Sequence, residues 1–248
     1  MGRGIPYHLL QRLDQLLQQL SWAVENALSQ SISIIEHNNQ GLAYKVIASS
    51  YCVVTSQADI NAYTLHLLAV ERSWSERDIR TIVVARMIAE QLMHIGECAT
   101  SIARSTLHMP FTFQDGERFR PCALNLQRTV SEQSMVRNLL ALGHEVHLFL
   151  QKTVRVVIED NYALAAYLRH EDDVVNARYR MVSNDLVTAL TPPCAFEALK
   201  DDAHFLERAI YLLNIAHVLE RIADHCKHIN ERVIMLHNHQ YVVVTELR

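Results

Sequence analysis

The sequence predicts an all-α protein: two tandem three-helix bundles related by internal duplication, six long helices in all. Three observations predict it. Helix breakers are scarce and clustered, with six glycines and five prolines in 248 residues, and every proline falls near a putative helix end. Between the breaks, apolar residues recur at three- and four-residue steps; only a short tail, YVVV, alternates poorly enough with helical spacing to read as a strand. A gapless self-match at close to half the chain length then pairs two of the helices.

In chain order, helices are expected at about 7–37, 40–71, 76–108, 122–159, 161–190 and 196–238. The breaks fall at His37–Gly41 (HNNQG), Ser73–Glu76 (SWSE), Pro110–Pro121, Glu159–Asn161 and Thr191–Pro193. The first helix carries a single core-facing stripe, Leu9, Leu13, Leu16, Leu17, Leu20, Val24, Ala27 and Leu28, with Gln11, Gln15, Gln18 and Gln19 on the other side. Asp78 and Arg80 open the third helix, where they cap it or pair across the bundle. Helices of this length reach roughly 45 Å at ~1.5 Å per residue, and short connections between them make antiparallel neighbours.

The duplication shows on the third and sixth helices. Ile88–Arg104 (IAEQLMHIGECATSIAR) aligns without a gap on Ile215–Glu231 (IAHVLERIADHCKHINE) at an offset of 127. Ile88, Ala89, Leu92, Ile95 and Ile102 meet Ile215, Ala216, Leu219, Ile222 and Ile229, and Glu97 stands opposite Asp224. A weaker echo sets Asn61 (ADINAY) against Asn176 (DVVNARY). The halves are therefore divided as 1–112 and 113–248.

The chemistry concentrates on the sixth helix. His217, Glu220, Arg221, Asp224, His228 and Glu231 fall within roughly a third of a helical turn, flanked by Leu219, Ile222, Cys226 and Ile229. A solvated amphipathic face is one reading; apolar residues on both flanks favour a groove or seam. Glu220 and Asp224, four residues apart, lie ~5–6 Å apart at Cβ and repel each other unless a metal ion or a basic residue such as Arg221 or Lys227 intervenes. His147 is placed toward the central seam of the second bundle, with Glu25 at a comparable place in the first. Cys98 and Cys226 read as small core residues.

Composition narrows the function. A net charge of −4 without a basic patch argues against nucleic acid. No apolar run approaches the ~18–20 residues that span a bilayer, so direct membrane insertion is not expected. The start, MGRGIPYHLL, lacks the pattern of a signal peptide. Five cysteines form no CxxC pair, as in a cytoplasmic protein with reduced thiols. A Gly-rich phosphate loop, GxSxG and Glu-x-x-His are all missing from the sequence, and the chain is read as a non-enzyme.

LERIADHCKHINERVIML resembles the signature of the PhoU family, LERIGDHAxNIAE followed by an apolar pair. Glu220, Arg221, Ile222, Asp224, His225, Ile229 and Glu231 match it, whereas Ala223 and His228 replace the usual Gly and Asn. Asp78, Ile79 and Arg80 look like the family's opening of the third helix, and EDDVVNARY (Glu171–Tyr179) is similar to its fifth-helix pattern. The resemblance implies a cytoplasmic negative regulator of phosphate uptake and phosphate signalling that acts by protein binding. Its implied partners are the ATPase of a phosphate ABC transporter and a sensor histidine kinase. A homodimer is the default for such bundles.

The resemblance also implies a transition metal (iron, zinc or manganese) at a Glu/Asp-x-x-x-Asp motif on the third helix of each bundle. The second half keeps Glu220 and Asp224, with His217, His228, Asp172 and Asn176 as further candidates. In the first half Met93, His94 and Glu97 stand where Glu, Arg and Asp belong. A thioether is a poor ligand for hard cations, so that site is degraded unless Glu90 and His94 join Glu97 and Asn61. Two alternatives stay open: a metal-dependent or metal-storing bundle, and a divergent scaffold of this fold without phosphate signalling.

Overall fold

The computed structural model describes residues 6–70, 74–110, 126–191 and 204–237. Among them the chain forms seven helices: α1 (Tyr7–His37), α2 (Gln40–Val70), α3 (Glu76–His108), α4 (Leu126–Glu159), α5 (Tyr162–Leu168), α6 (Glu171–Leu190) and α7 (Phe205–His237). The expected helix starts near 122 and 196, the two proline-marked breaks beyond Pro110 and Thr191, and the YVVV tail lie outside the described residues.

Local chemistry explains the boundaries. The α1–α2 turn needs two residues: Asn38 takes the left-handed conformation at φ 47°, and the Asn39 side chain accepts the Leu42 N–H at 3.0 Å. Ser75 and Asp78 form a reciprocal capping box at the start of α3, so Asp78 caps as expected, while Arg80 pairs at 2.6 Å with Glu76 on its own helix. Asp160, at φ 48°, ends α4, and the Asn161 side chain caps α5 by accepting the Leu164 N–H.

The fifth expected helix, 161–190, is a correction: it is broken at Arg169–His170 into α5 and α6. Neither proline nor glycine marks the break. The local signal is the acid triad Glu171, Asp172 and Asp173, which forms the first turn of α6. Three like charges in mid-helix would repel, whereas at a helix start they face the positive end of the dipole. α5 buries Ala165 and Leu168 beneath this restart.

Helices α1, α2 and α3 form one bundle, and α4, α5–α6 and α7 the other. The bundles join along two antiparallel seams, α1 on α4 and α3 on α7. On the second seam His94 stacks on His225; eleven residues further along α3, Ser105 accepts from Asn214, eleven residues earlier on α7. One continuous hydrophobic cluster runs through both bundles, from Leu13 and Leu28 of α1 through Leu92 of α3 and Phe149 of α4 to Ile222 of α7. Within the first bundle, the buried Ser31 hydroxyl ties α1 to α3 by donating to the Ala99 carbonyl at 2.8 Å. Glu25 and His147 face each other directly across the α1–α4 seam at 3.7 Å, and Gln151 donates to Glu25 at 2.9 Å.

Candidate functional site

The polar stripe of α7 meets α6 on one side and α3 on the other. Toward α6, Asp172 is nearly fully buried, at 3% exposure. Its Oδ2 accepts from the Lys227 ammonium at 3.1 Å, while its Oδ1 is buried without a hydrogen-bond partner. Helix α6 restarts one residue before Asp172, so its first-turn geometry aims this carboxylate at α7. Lys227 supplies the counter-charge foreseen from the sequence, but it serves Asp172 rather than Glu220 or Asp224.

Glu220 and Asp224 are half-buried beside this pair. Burial raises the carboxyl pKa of Glu220, and the charges of Asp224 and Asp172 raise it further, against His217 and Arg221. Asp224 is likewise raised by burial and then by Asp172, with His228, Lys227 and His217 opposing. The three carboxylates therefore share one electrostatic environment with an excess of negative charge. His217 lies 3.5 Å from Glu220 at the exposed margin. His228 instead pairs with Glu231 at 3.2 Å; that bond holds the imidazole pKa up and the carboxyl pKa down. Asn176 sits one helical turn beyond Asp172 on α6, half-buried.

Toward α3, the His225 Nδ1–H donates to the Gln91 side-chain carbonyl at 2.8 Å. Its ring stacks on His94 with centroids 5.4 Å apart. Burial, then His94, Arg221 and His228, lower its pKa to about 4, against Glu97. Sequence matching marked His225 as a signature residue but gave no sign of its Gln91 and His94 partners; they depend on the register of α3 on α7.

The first-half candidates have different neighbours. His94 and Glu97 pair at 3.1 Å near the α7 seam. Asn61 accepts from the Arg86 guanidinium at 3.2 Å, and Glu90 lines a shallow groove of about 170 Å³ with Thr64, Leu65, Arg86 and Met87. The thiols of Cys98 and Cys226 are buried, which raises both pKa values and keeps them protonated.

Among the described residues, no three His, Cys, Asp or Glu side chains are already grouped to hold a metal ion. The fit is one of donor chemistry. Glu220, Asp224 and the orphaned Asp172 Oδ1 are hard oxygen donors in an acid-rich, half-buried place, which suits a divalent cation.

Fold and site together define a class: a duplicated helical-bundle protein with a carboxylate–imidazole stripe at the junction of its halves. The PhoU domain model matches the chain twice, at residues 17–106 and 139–233, one match in each bundle. The chain belongs to the PhoU domain family. It is 22% identical over 222 residues to the phosphate-specific transport system accessory protein PhoU of Escherichia coli, covering 90% of this chain and 80% of that one. A PhoU homolog of Clostridium acetobutylicum is 20% identical over 236 residues, 95% of both chains. The crystal structure of PhoU from Pseudomonas aeruginosa superposes with a TM-score of 0.73 at 22% identity, covering 92% of this chain and 97% of that one. The PhoU structure from Streptococcus pneumoniae gives the same TM-score at 18% identity, covering 94% and 97%.

Proposed function

We propose that the protein is a cytoplasmic regulator of phosphate uptake that acts by binding other proteins rather than by catalysis. The observation that carries this reading is the double match to the PhoU domain, one in each bundle, among relatives described as accessory proteins of a phosphate-specific transport system. Its partners in this reading are the ATPase of a phosphate ABC transporter and a sensor histidine kinase, and it works as a homodimer. No described helix is long and apolar enough to cross a membrane.

A second element of the proposal is a metal ion on the α6–α7 stripe. The orphaned Asp172 Oδ1 beside two carboxyl groups with raised pKa supports it. Asp172, Glu220 and Asp224 would hold the ion, and it would supply the positive charge that their environment lacks. His217, His228 and Asn176 are outer candidates.

Deleting the gene and following a phosphate-starvation reporter tests the regulatory reading. Expression should become insensitive to abundant phosphate in the deletion strain and return to control on complementation. An unchanged response would leave the divergent-scaffold alternative. Elemental analysis of purified wild type beside Glu220→Ala/Asp224→Ala tests the metal: near-stoichiometric metal lost in the variant supports the site, and metal-free protein in both makes the stripe an ion-pair network.

A further inference from the structure

Helix α2 is apolar on two sides. Its inward face buries Ala43, Val46, Val53, Ile60, Thr64 and Leu67 against α1 and α3. Its outward face nevertheless carries Tyr44, Ala48, Tyr51, Ala58, Ala62, Leu65 and Ala69, all exposed, with Thr55 between them; Tyr51 is 72% exposed. These residues fall on two seven-residue series, 44–51–58–65 and 48–55–62–69, which is the a/d spacing of a coiled-coil seam. A helix that is apolar all round is normally covered all round. The hydroxyls of Ser49, Ser50, Thr55 and Thr64 are all satisfied by carbonyls of α2 itself, so covering this face strands few polar groups. The counterpart helix α6 also exposes Val174, Met181 and Val187, but it sets exposed charges among them, Asp173, Arg180 and Asp185; the fold therefore does not require an outer helix nearly free of charge.

Charge selects the occupant. In its 31 residues α2 has a single Lys and a single Asp, and neither Arg nor Glu. Lys45 and Asp59 are both exposed, on the same flank of the seam, two heptads apart, and the exposed Cys52 lies midway between them. In an antiparallel two-fold pairing, same-flank residues of the two helices face each other. Lys45 of each copy then meets Asp59 of the other, and Cys52 meets Cys52. The same register layers large on small, Tyr44 over Ala62 and Tyr51 over Thr55, with Ala48 over Ala58. A parallel pairing would stack tyrosine on tyrosine and alanine on alanine, leaving gaps. A membrane surface would favour several basic residues beside the stripe, and this face has one lysine.

We propose that α2 is a self-association surface on which two copies of the chain pair antiparallel, through Tyr44, Ala48, Tyr51, Thr55, Ala58 and Ala62, with reciprocal Lys45–Asp59 contacts and Cys52 at the two-fold axis. This deepens the homodimer reading above and rests on it. Alanine and threonine at the core of the seam let the helix axes approach to about 8 Å. The seam is short, roughly 27 Å from Tyr44 to Ala62 at ~1.5 Å per residue.

The test uses the full-length chain with Cys122→Ser and Cys194→Ser, studied by sedimentation equilibrium up to ~100 µM and by mild oxidation at the same concentrations. A dimer cross-linked through Cys52, and abolished by Cys52→Ser, is expected. Ala58→Glu, at an exposed position, should give a folded monomer whose thermal unfolding no longer depends on concentration and matches that of dilute wild type. Lys45→Glu should weaken the dimer by about tenfold, and Lys45→Glu/Asp59→Lys should restore it. A dimer that survives Ala58→Glu and forms no Cys52 cross-link overturns the surface while leaving the homodimer reading intact. A wild type that stays monomeric at all concentrations overturns both.

Discussion

The buried ion pair between α6 and α7 gives the sharpest test of how the stripe is held together. Lys227→Met keeps the length of the side chain and removes its charge, leaving Asp172 without a cation. The side chain of Asp172 is 4% exposed and that of Lys227 36% exposed, so the pair lies between two limits. Breaking a fully buried pair costs about 3–5 kcal/mol, and losing an exposed one costs at most about 1 kcal/mol. An intermediate cost of about 2 kcal/mol is expected, because one partner is fully desolvated and the other reaches water. For a chain of this size that corresponds to a drop in Tm of roughly 4–8 °C. Asp172→Asn removes the buried charge with little change of shape and should cost no more than about 1 kcal/mol. In the Asp172→Asn background, Lys227→Met should then lose most of its effect, giving a coupling energy of at least about 1 kcal/mol. Urea unfolding at pH 7, followed by circular dichroism, measures the cycle. Strict additivity, or a Lys227→Met variant within about 0.5 kcal/mol of wild type, would refute the assignment of Lys227 as the counter-charge.

Three other outcomes follow from the same geometry. Because burial and neighbouring acids raise the pKa values of Glu220 and Asp224, their contribution to stability is lost as pH rises through the folded values. In chelator-treated protein at pH 7, Glu220→Gln/Asp224→Asn should therefore stabilise, by up to about 1 kcal/mol once solvent screening of the half-exposed groups is allowed for; a destabilised variant would count against an acid excess. His225 runs the other way: its pKa of about 4 lies below the ordinary 6.5, so its contribution is present above pH 6.5 and lost on acidification toward pH 4. At ~1.4 kcal/mol per unit, discounted for partial exposure, that is about 1–2 kcal/mol, and His225→Gln should reduce the loss of unfolding free energy between pH 6.5 and 4 by this amount, measured by urea unfolding. Gly96→Ala would set a Cβ 2.8 Å from Val53 Cγ1 across the α2–α3 contact. Overpacking of about 1–3 kcal/mol should outweigh the ~1 kcal/mol gain in helix propensity, and Gly96→Ala/Val53→Ala should recover it; denaturation midpoints at or above wild type for the single variant would contradict the close approach.

The long helices were legible because their determinants are local. Apolar periodicity, the Asn38–Asn39 turn, the Ser75–Asp78 box and the Asn161 cap all act within a few residues. The division of the fifth helix was legible in principle, through Glu171–Asp173 as a start signal, but the absence of proline or glycine masked it. Partner choice was not legible. The Asp172–Lys227 and Gln91–His225 bonds each join helices far apart in sequence, and their register follows from side-chain packing along the α6–α7 and α3–α7 seams. A helical wheel could place Glu90, His94 and Glu97 on one face, yet along the helix axis Glu90 meets α2 and His94 meets α7.

Antiparallel packing of two duplicated helices explains why the site is asymmetric. On the α3–α7 seam each repeat faces the other, so His94 lies against His225 and Cys98 feels the charge of Arg221. At the offset of 127, Arg221 is the counterpart of His94 and His225 of Cys98. Where α7 has Glu220 and Lys227, α3 has Met93 and Thr100, and the Thr100 hydroxyl simply donates to the Gly96 carbonyl of its own helix. The acid and the lysine here act as a pair: the buried Asp172 carboxylate needs the lysine, whereas the Lys227 side chain, 36% exposed, reaches water without the acid. The first bundle lacks both members and settles its remaining charge locally, with His94 on Glu97 and Arg86 on Asn61. The second bundle keeps both, and Asp172 Oδ1 is still left unpaired. A cation or a partner's basic side chain would therefore meet its complement on the α6–α7 face of the second bundle, while the first bundle offers the apolar outer face of α2.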